Sequence, residues 1–265
     1  MKYTLIIIFA MLMFGCQPKE PELIEKEISY GSGDLTMNGY LVFDNSIEGK
    51  RPGVLVVHEW WGHNPYARKR ARKLAEMGYA AFAVDMYGDG KQASHPGDAG
   101  KFASEVFENM NEAQARFESA LNILKNFDKT DTDNIAAIGY CFGGGVVLQM
   151  ARMGVDIDGV VSFHGSISSP IPAEKGKVKA AMLVCNGAED KFVTADQIEA
   201  FKNEMDNAEV DYKFINYEGA KHSFTNPDAD SLGAKFNLPL AYDKSVDEKS
   251  WNEMKIFLTR IFEKN

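Results

Sequence analysis

Residues 135–148 read Ile-Ala-Ala-Ile-Gly139-Tyr140-Cys141-Phe142-Gly143-Gly144-Gly-Val-Val-Leu, an apolar run that breaks on glycines and resumes as a helical stretch. The pattern Gly139-Tyr140-Cys141-Phe142-Gly143 places a thiol at the apex of a sharp strand-to-helix turn. Such a turn strains the backbone at its apex and demands small neighbours two residues before and two after. The helix opening near Gly143 turns its free N–H groups and partial positive charge toward the sulfur, which favours thiolate. A glycine-rich turn with an inert cysteine is the plain alternative, and the surroundings decide between them.

Outward from this turn, short unbroken apolar runs recur at 53–57, 79–84, 135–139, 159–163, 180–185 and 213–217. Helical stretches near 65–77, 100–126, 143–153, 194–207 and 248–263 lie between them, and residues 24–30 and 35–43 read as a strand pair. Strands apolar on both faces, each followed by a helix, predict an α/β fold: a mostly parallel, doubly wound sheet with helices on both faces. Ligands in such sheets bind beyond the carboxyl ends of the strands. The loops at those ends are His58-Glu59-Trp60-Trp61-Gly62, Asp85-Met86-Tyr87-Gly88-Asp89, the Cys141 turn, His164-Gly165, Asn186-Gly187-Ala188-Glu189-Asp190 and Glu218-Gly219-Ala220-Lys221-His222.

A thiol at neutral pH needs a base, and the base needs an orienting group. Asp190 and then His222 follow Cys141 in the loops after two later strands, which is the chain order expected of nucleophile, acid and histidine in this kind of sheet. Asp190 as a solvated turn residue or a helix N-cap, and His222 as a surface histidine, are the alternatives weighed against this.

Bulk properties narrow the field. With 265 residues, 45% apolar and 25% charged, the chain has globular composition and one domain's worth of core, read over 24–265. A net charge of −9 makes nucleic acid an unsuitable partner, since phosphate attraction needs clustered cations. The one basic run, Arg68, Lys69, Arg70, Arg72 and Lys73, is expected to be the wet face of a helix whose apolar stripe is Ala67, Ala71, Leu74 and Ala75. Lys2, an apolar run from Leu5 to Phe14 and Gly15-Cys16 form a targeting segment too short to span a bilayer. It resembles a bacterial lipoprotein signal over 1–15 with Cys16 lipidated and a tether over 16–23. This places the protein in the cell envelope, in contact with membrane through that anchor only. Cys185, inside an apolar run, reads as a buried small residue, and three cysteines are too few for a disulfide framework.

Taken together, Gly-Tyr-Cys-Phe-Gly-Gly at 139–144, Glu59 followed by Trp-Trp-Gly, Asn-Gly-Ala-Glu-Asp ending at Asp190, and Gly-Ala-Lys-His-Ser-Phe at 219–224 resemble the dienelactone hydrolase family. The resemblance implies an α/β-hydrolase fold, no cofactor, and a triad of Cys141, His222 and Asp190 acting on a small-molecule ester or lactone, as a monomer or dimer. It also implies that Glu59 meets the thiol in the resting enzyme. Backbone N–H groups of Phe142 and Trp60 are expected to form an oxyanion hole, with Trp61, Tyr87, His164 and Phe224 lining the substrate.

Two departures stand out. Family members that cleave dienelactone hold its carboxylate with two arginines; the matching positions here are Asp89 and Asn226, which predicts a neutral ester or lactone. His58 and His63 lack the i, i+4 spacing of a zinc helix, so no metal is expected. A lipoprotein of the same fold that binds without turnover is the rival from another class. A redox role is weakened by the lack of a Cys-x-x-Cys motif.

Overall fold

The computed structural model describes residues 20–263; the signal, Cys16 and the first half of the tether lie outside the described residues. Eight strands form one sheet in the order β1-β2-β4-β3-β5-β6-β7-β8. β1 (Leu23–Ser32) and β2 (Leu35–Asp44) are the antiparallel pair at one edge, and β2 runs antiparallel to β4 (Ala80–Val84). From β4 onward all pairings are parallel: β3 (Arg51–Val57), β5 (Thr130–Tyr140), β6 (Gly159–Phe163), β7 (Ala181–Gly187) and β8 (Tyr212–Tyr217). The strand order reverses between β3 and β5, which opens a crevice at their carboxyl ends. Val57 pairs with Gly139 across that seam, so the loops leaving both strands start side by side.

Alternating side chains feed two cores, one per face. Leu55 and Val57 of β3 join the core under α2 (Pro96–Glu108), α3 (Met110–Lys125), α4 (Phe142–Arg152) and α5 (Ala195–Asn207). Val54 and Val56 join the opposite core, under α1 (Pro65–Ala75) and α7 (Lys244–Phe262).

Three local expectations are corrected. The helix expected over 100–126 is two helices, because Asn109 leaves helical geometry (φ −128, ψ 79) and its side chain accepts the Glu112 N–H. A further helix, α6 (Ala229–Phe236), forms after the His222 loop. The basic run on α1 is not all wet: Arg68 and Arg72 pair with Glu27 and Glu25, but Arg70 is buried. Its guanidinium donates to Asp247 at 2.8 Å and to the Thr225 carbonyl, and it packs against Tyr66, Tyr140 and Trp251. A cation so enclosed is tolerated because a partner and aromatic faces replace its water.

Phe82, fully buried in β4, lies against Gly39, where even a Cβ would collide with its ring. Phe82→Ala is expected to cost about 3–5 kcal/mol in denaturant unfolding at unchanged m. A loss below about 1 kcal/mol would contradict the tight packing of this seam.

Candidate active site

Cys141 sits between β5 and α4 with φ 53 and ψ −114, in the sparsely populated half of backbone space. The turn closes only because its flanks are bare. A Cβ on Gly139 would come 2.0 Å from the Gly143 carbonyl oxygen, and one on Gly143 would come 2.4 Å from that of Val57. The Gly143 N–H donates to the His58 carbonyl at 3.1 Å, tying the turn to the end of β3.

Three side chains from three loops meet there. The Cys141 Sγ lies 3.1 Å from His222 Nε2, and His222 Nδ1 lies 2.7 Å from Asp190 Oδ2. The other Asp190 oxygen accepts the Phe192 N–H at 2.8 Å. The N-cap of α5 is Thr194, not Asp190, which is buried at 4% exposure against the imidazole. The Glu189 N–H donates to the Ala220 carbonyl at 2.9 Å, fastening the acid's loop to the histidine's. Burial opposes charge on His222, yet the sulfur and the Asp190 carboxylate outweigh it, and the ring's pKa is pushed up to about 10. Such an arrangement can pass a proton between a thiol and an imidazole.

Glu59 is buried beside this group but does not meet the sulfur. Its carboxylate accepts from Ser223 Oγ at 3.2 Å and from Asn226 Nδ2 at 2.6 Å, while the thiol is turned to His222. This corrects the expectation drawn from the resemblance. Burial is the main cause of a raised Glu59 pKa, against the lowering effect of its hydrogen bonds. Asn226 thus serves a buried acid and is not among the residues lining the cavity over Cys141. Asp89 is exposed, 3.8 Å from Lys91.

A cavity of about 230 Å³ opens over Cys141 and His222. Trp60, Ala103, Phe107, Phe142, Ser166, Phe192, Val193 and Leu240 complete its walls, with no Lys or Arg. Among the described residues, the Trp60 and Phe142 N–H groups have no protein acceptor.

Four expected substrate contacts are placed elsewhere. Trp61 faces a separate cavity of about 420 Å³ together with Asn64, Gln92 and Phe236. Tyr87 lies behind the site, its hydroxyl donating to the Trp60 carbonyl at 3.0 Å. His164 is fully buried, with Nε2 2.7 Å from Thr225 Oγ1. Phe224 is also fully buried, packed edge-on to His164.

The walls that the sequence reading missed come largely from α2 (Ala103, Phe107) and from Phe192 and Leu240. Phe192, 52% exposed and edge-on to His222 at 4.9 Å, offered the one usable signal, a large apolar residue two positions after Asp190. A larger cavity, about 780 Å³, opens among Lys125, Asp156, Asp158 and Lys179, and holds no histidine or cysteine. Among the described residues, no cluster of three or more His, Cys, Asp or Glu could hold a metal ion.

Residues 37–262 match the model of the dienelactone hydrolase family. The chain belongs to that family. It is 32% identical over 207 residues to protein usf of Aquifex pyrophilus, covering 76% of this chain and 84% of that one. Among solved structures it superposes on m3DLH with a TM-score of 0.85 at 36% identity, covering 91% of this chain and 99% of that one. It also superposes on a dienelactone hydrolase-like promiscuous phosphotriesterase from metagenomic libraries, with a TM-score of 0.82, 32% identity and coverage of 91% and 99%. Both likenesses extend the dienelactone hydrolase framework across the eight-stranded sheet and its helices.

The elevated His222 pKa depends on the sulfur beside it. Cys141→Ala is expected to move the His222 titration, followed by NMR, to lower pH than about 10. An unchanged titration would show that the sulfur does not hold the charge on the ring.

Proposed function

We propose that this protein hydrolyses neutral carboxylic esters or lactones, with Cys141 as nucleophile, His222 as base and acid, and Asp190 as the group that orients the ring. What supports this is the unbroken run of contacts from sulfur through imidazole to carboxylate at the mouth of an apolar cavity. The thiolate attacks the carbonyl carbon, and the carbonyl π pair moves onto oxygen. The N–H groups of Phe142 and Trp60, which have no protein acceptor, would take up that charge. As the C–O bond breaks, protonated His222 gives its proton to the leaving alkoxide, and a thioester remains on Cys141. Acylation removes the negative charge on sulfur, and with it a main cause of the raised His222 pKa. The neutral ring can then take a proton from water. Hydroxide adds to the thioester, the C–S bond breaks, and the acid departs as the thiolate reforms.

The cavity also supports the substrate class. A carboxylate placed among Trp60, Phe107, Phe142 and Leu240 would lose its water without gaining a cation. The apolar run to Phe14 with Gly15-Cys16 supports export and lipid attachment at Cys16, so the enzyme would work from the cell envelope.

A chromogenic neutral acyl ester should turn over with the full chain, and Cys141→Ala should lower kcat on the order of 10⁴-fold or more. The methyl ester of an unsaturated lactone acid should be preferred over the free carboxylate by roughly tenfold, since an unpaired buried charge costs at least about 1–3 kcal/mol. Preference for the carboxylate would overturn the substrate class. Labelling of Cys141 by iodoacetamide with no ester turnover would overturn the hydrolytic reading in favour of a binding protein.

A further inference from the structure

His58 directly follows β3, is wholly buried, and takes no part in the steps above. Its protonation follows from its neighbours. The Met86 N–H can only donate, and it points at Nε2 from 3.3 Å, so Nε2 accepts. The single proton of the neutral ring then sits on Nδ1, 2.6 Å from the Glu59 carbonyl oxygen, which accepts it. Burial lowers the ring's pKa and keeps it in this neutral form.

That carbonyl belongs to the same peptide unit as the Trp60 N–H. A trans peptide is planar, so fixing the direction of its C=O fixes its N–H in the opposite direction. The Gly62 N–H adds a second bond to the Glu59 carbonyl at 3.1 Å, and Tyr87 holds the next carbonyl, that of Trp60, at 3.0 Å. The His58 ring also stacks on Phe142, with centroids 5.5 Å apart and planes 19° apart, and its own carbonyl accepts the Gly143 N–H. One imidazole therefore braces both loops that carry the Trp60 and Phe142 N–H groups, whose residues line the cavity.

We infer that His58 is a positioning residue for the oxyanion hole, aiming the Trp60 N–H through the Glu59 carbonyl; this rests on the hydrolytic function proposed above. The test compares His58→Asn, whose amide nitrogen takes the place of Nδ1, with His58→Gln, whose amide reaches the Nε2 place and leaves the Glu59 carbonyl without its donor. For a p-nitrophenyl ester, kcat/KM should fall on the order of 10- to 100-fold in the Gln variant and stay within about threefold in the Asn variant. The preference for the oxygen ester over its thionoester should shrink with it, because sulfur accepts hydrogen bonds from N–H groups poorly. Alkylation of Cys141 by iodoacetamide, which develops no oxyanion, should proceed at the wild-type rate. Tyr87→Phe removes one hydroxyl from the same brace and should lower kcat/KM about fivefold, whether or not the Gln variant folds.

Equal activity of the Asn and Gln variants overturns the inference, as does an alkylation rate that falls in step with ester turnover, or an unaltered Tyr87→Phe enzyme. Absence of turnover in the wild type, or its persistence in Cys141→Ala, overturns the hydrolytic reading and takes this inference with it.

Discussion

The backbone of Cys141 is held in a left-handed conformation that a cysteine rarely adopts, and the site depends on that constraint. Relaxing it would swing the sulfur away from His222. Relaxation is blocked by the close approach of β5, α4 and β3, where the Gly139 and Gly143 backbones touch neighbouring carbonyls with no room for a side chain. The fold stores strain at Cys141 and distributes the restraint over three buried elements. This links sheet packing to reactivity: the same seam that buries Val57 against Gly139 sets where the sulfur stands.

Around that sulfur, ionisation is arranged by contrast. His222 is raised by the negative groups at both of its nitrogens, whereas His58 and His164, buried nearby, are lowered by loss of water. Three histidines in loops beyond the carboxyl ends of β3, β6 and β8 thus have different tasks, and only His222 is built to gain a second proton. Glu59 is a second acid within the same buried group, but Ser223 and Asn226 claim its oxygens. The family framework is therefore retained with its glutamate engaged by the histidine's own loop. Apolar walls without a cation extend the same contrast to the cavity, where Cys141 and His222 are the ionisable side chains among the lining residues.

The sheet was legible in the sequence because its signals are local. Runs such as 53–57 and 135–139 are apolar on both faces, and a chain of that kind has few alternatives to a buried parallel strand. The elbow was legible because its glycine spacing is a local pattern. Only the Gly139 collision is local, with Gly143 itself, while Gly143 is kept bare by the distant Val57 and His58 carbonyls. What stayed hidden depends on contacts between distant segments. Arg70 looks like a surface cation until Asp247 and the Thr225 carbonyl, far along the chain, are brought to it. Trp61 follows Trp60 directly, yet the chain turns so that one faces Cys141 and its neighbour faces a different cavity. The break at Asn109 was locally encoded, by an asparagine whose side chain competes for a backbone N–H.

The central claim is that Cys141 carries the acyl group during turnover. Acid quenching in the first turnover with a slowly deacylating neutral ester, followed by peptide mass spectrometry, tests it directly. The account predicts the acyl mass on the peptide containing Cys141, released by mild thiol as a thioester would be. Product formation with an unmodified Cys141 peptide at every quench time would contradict it.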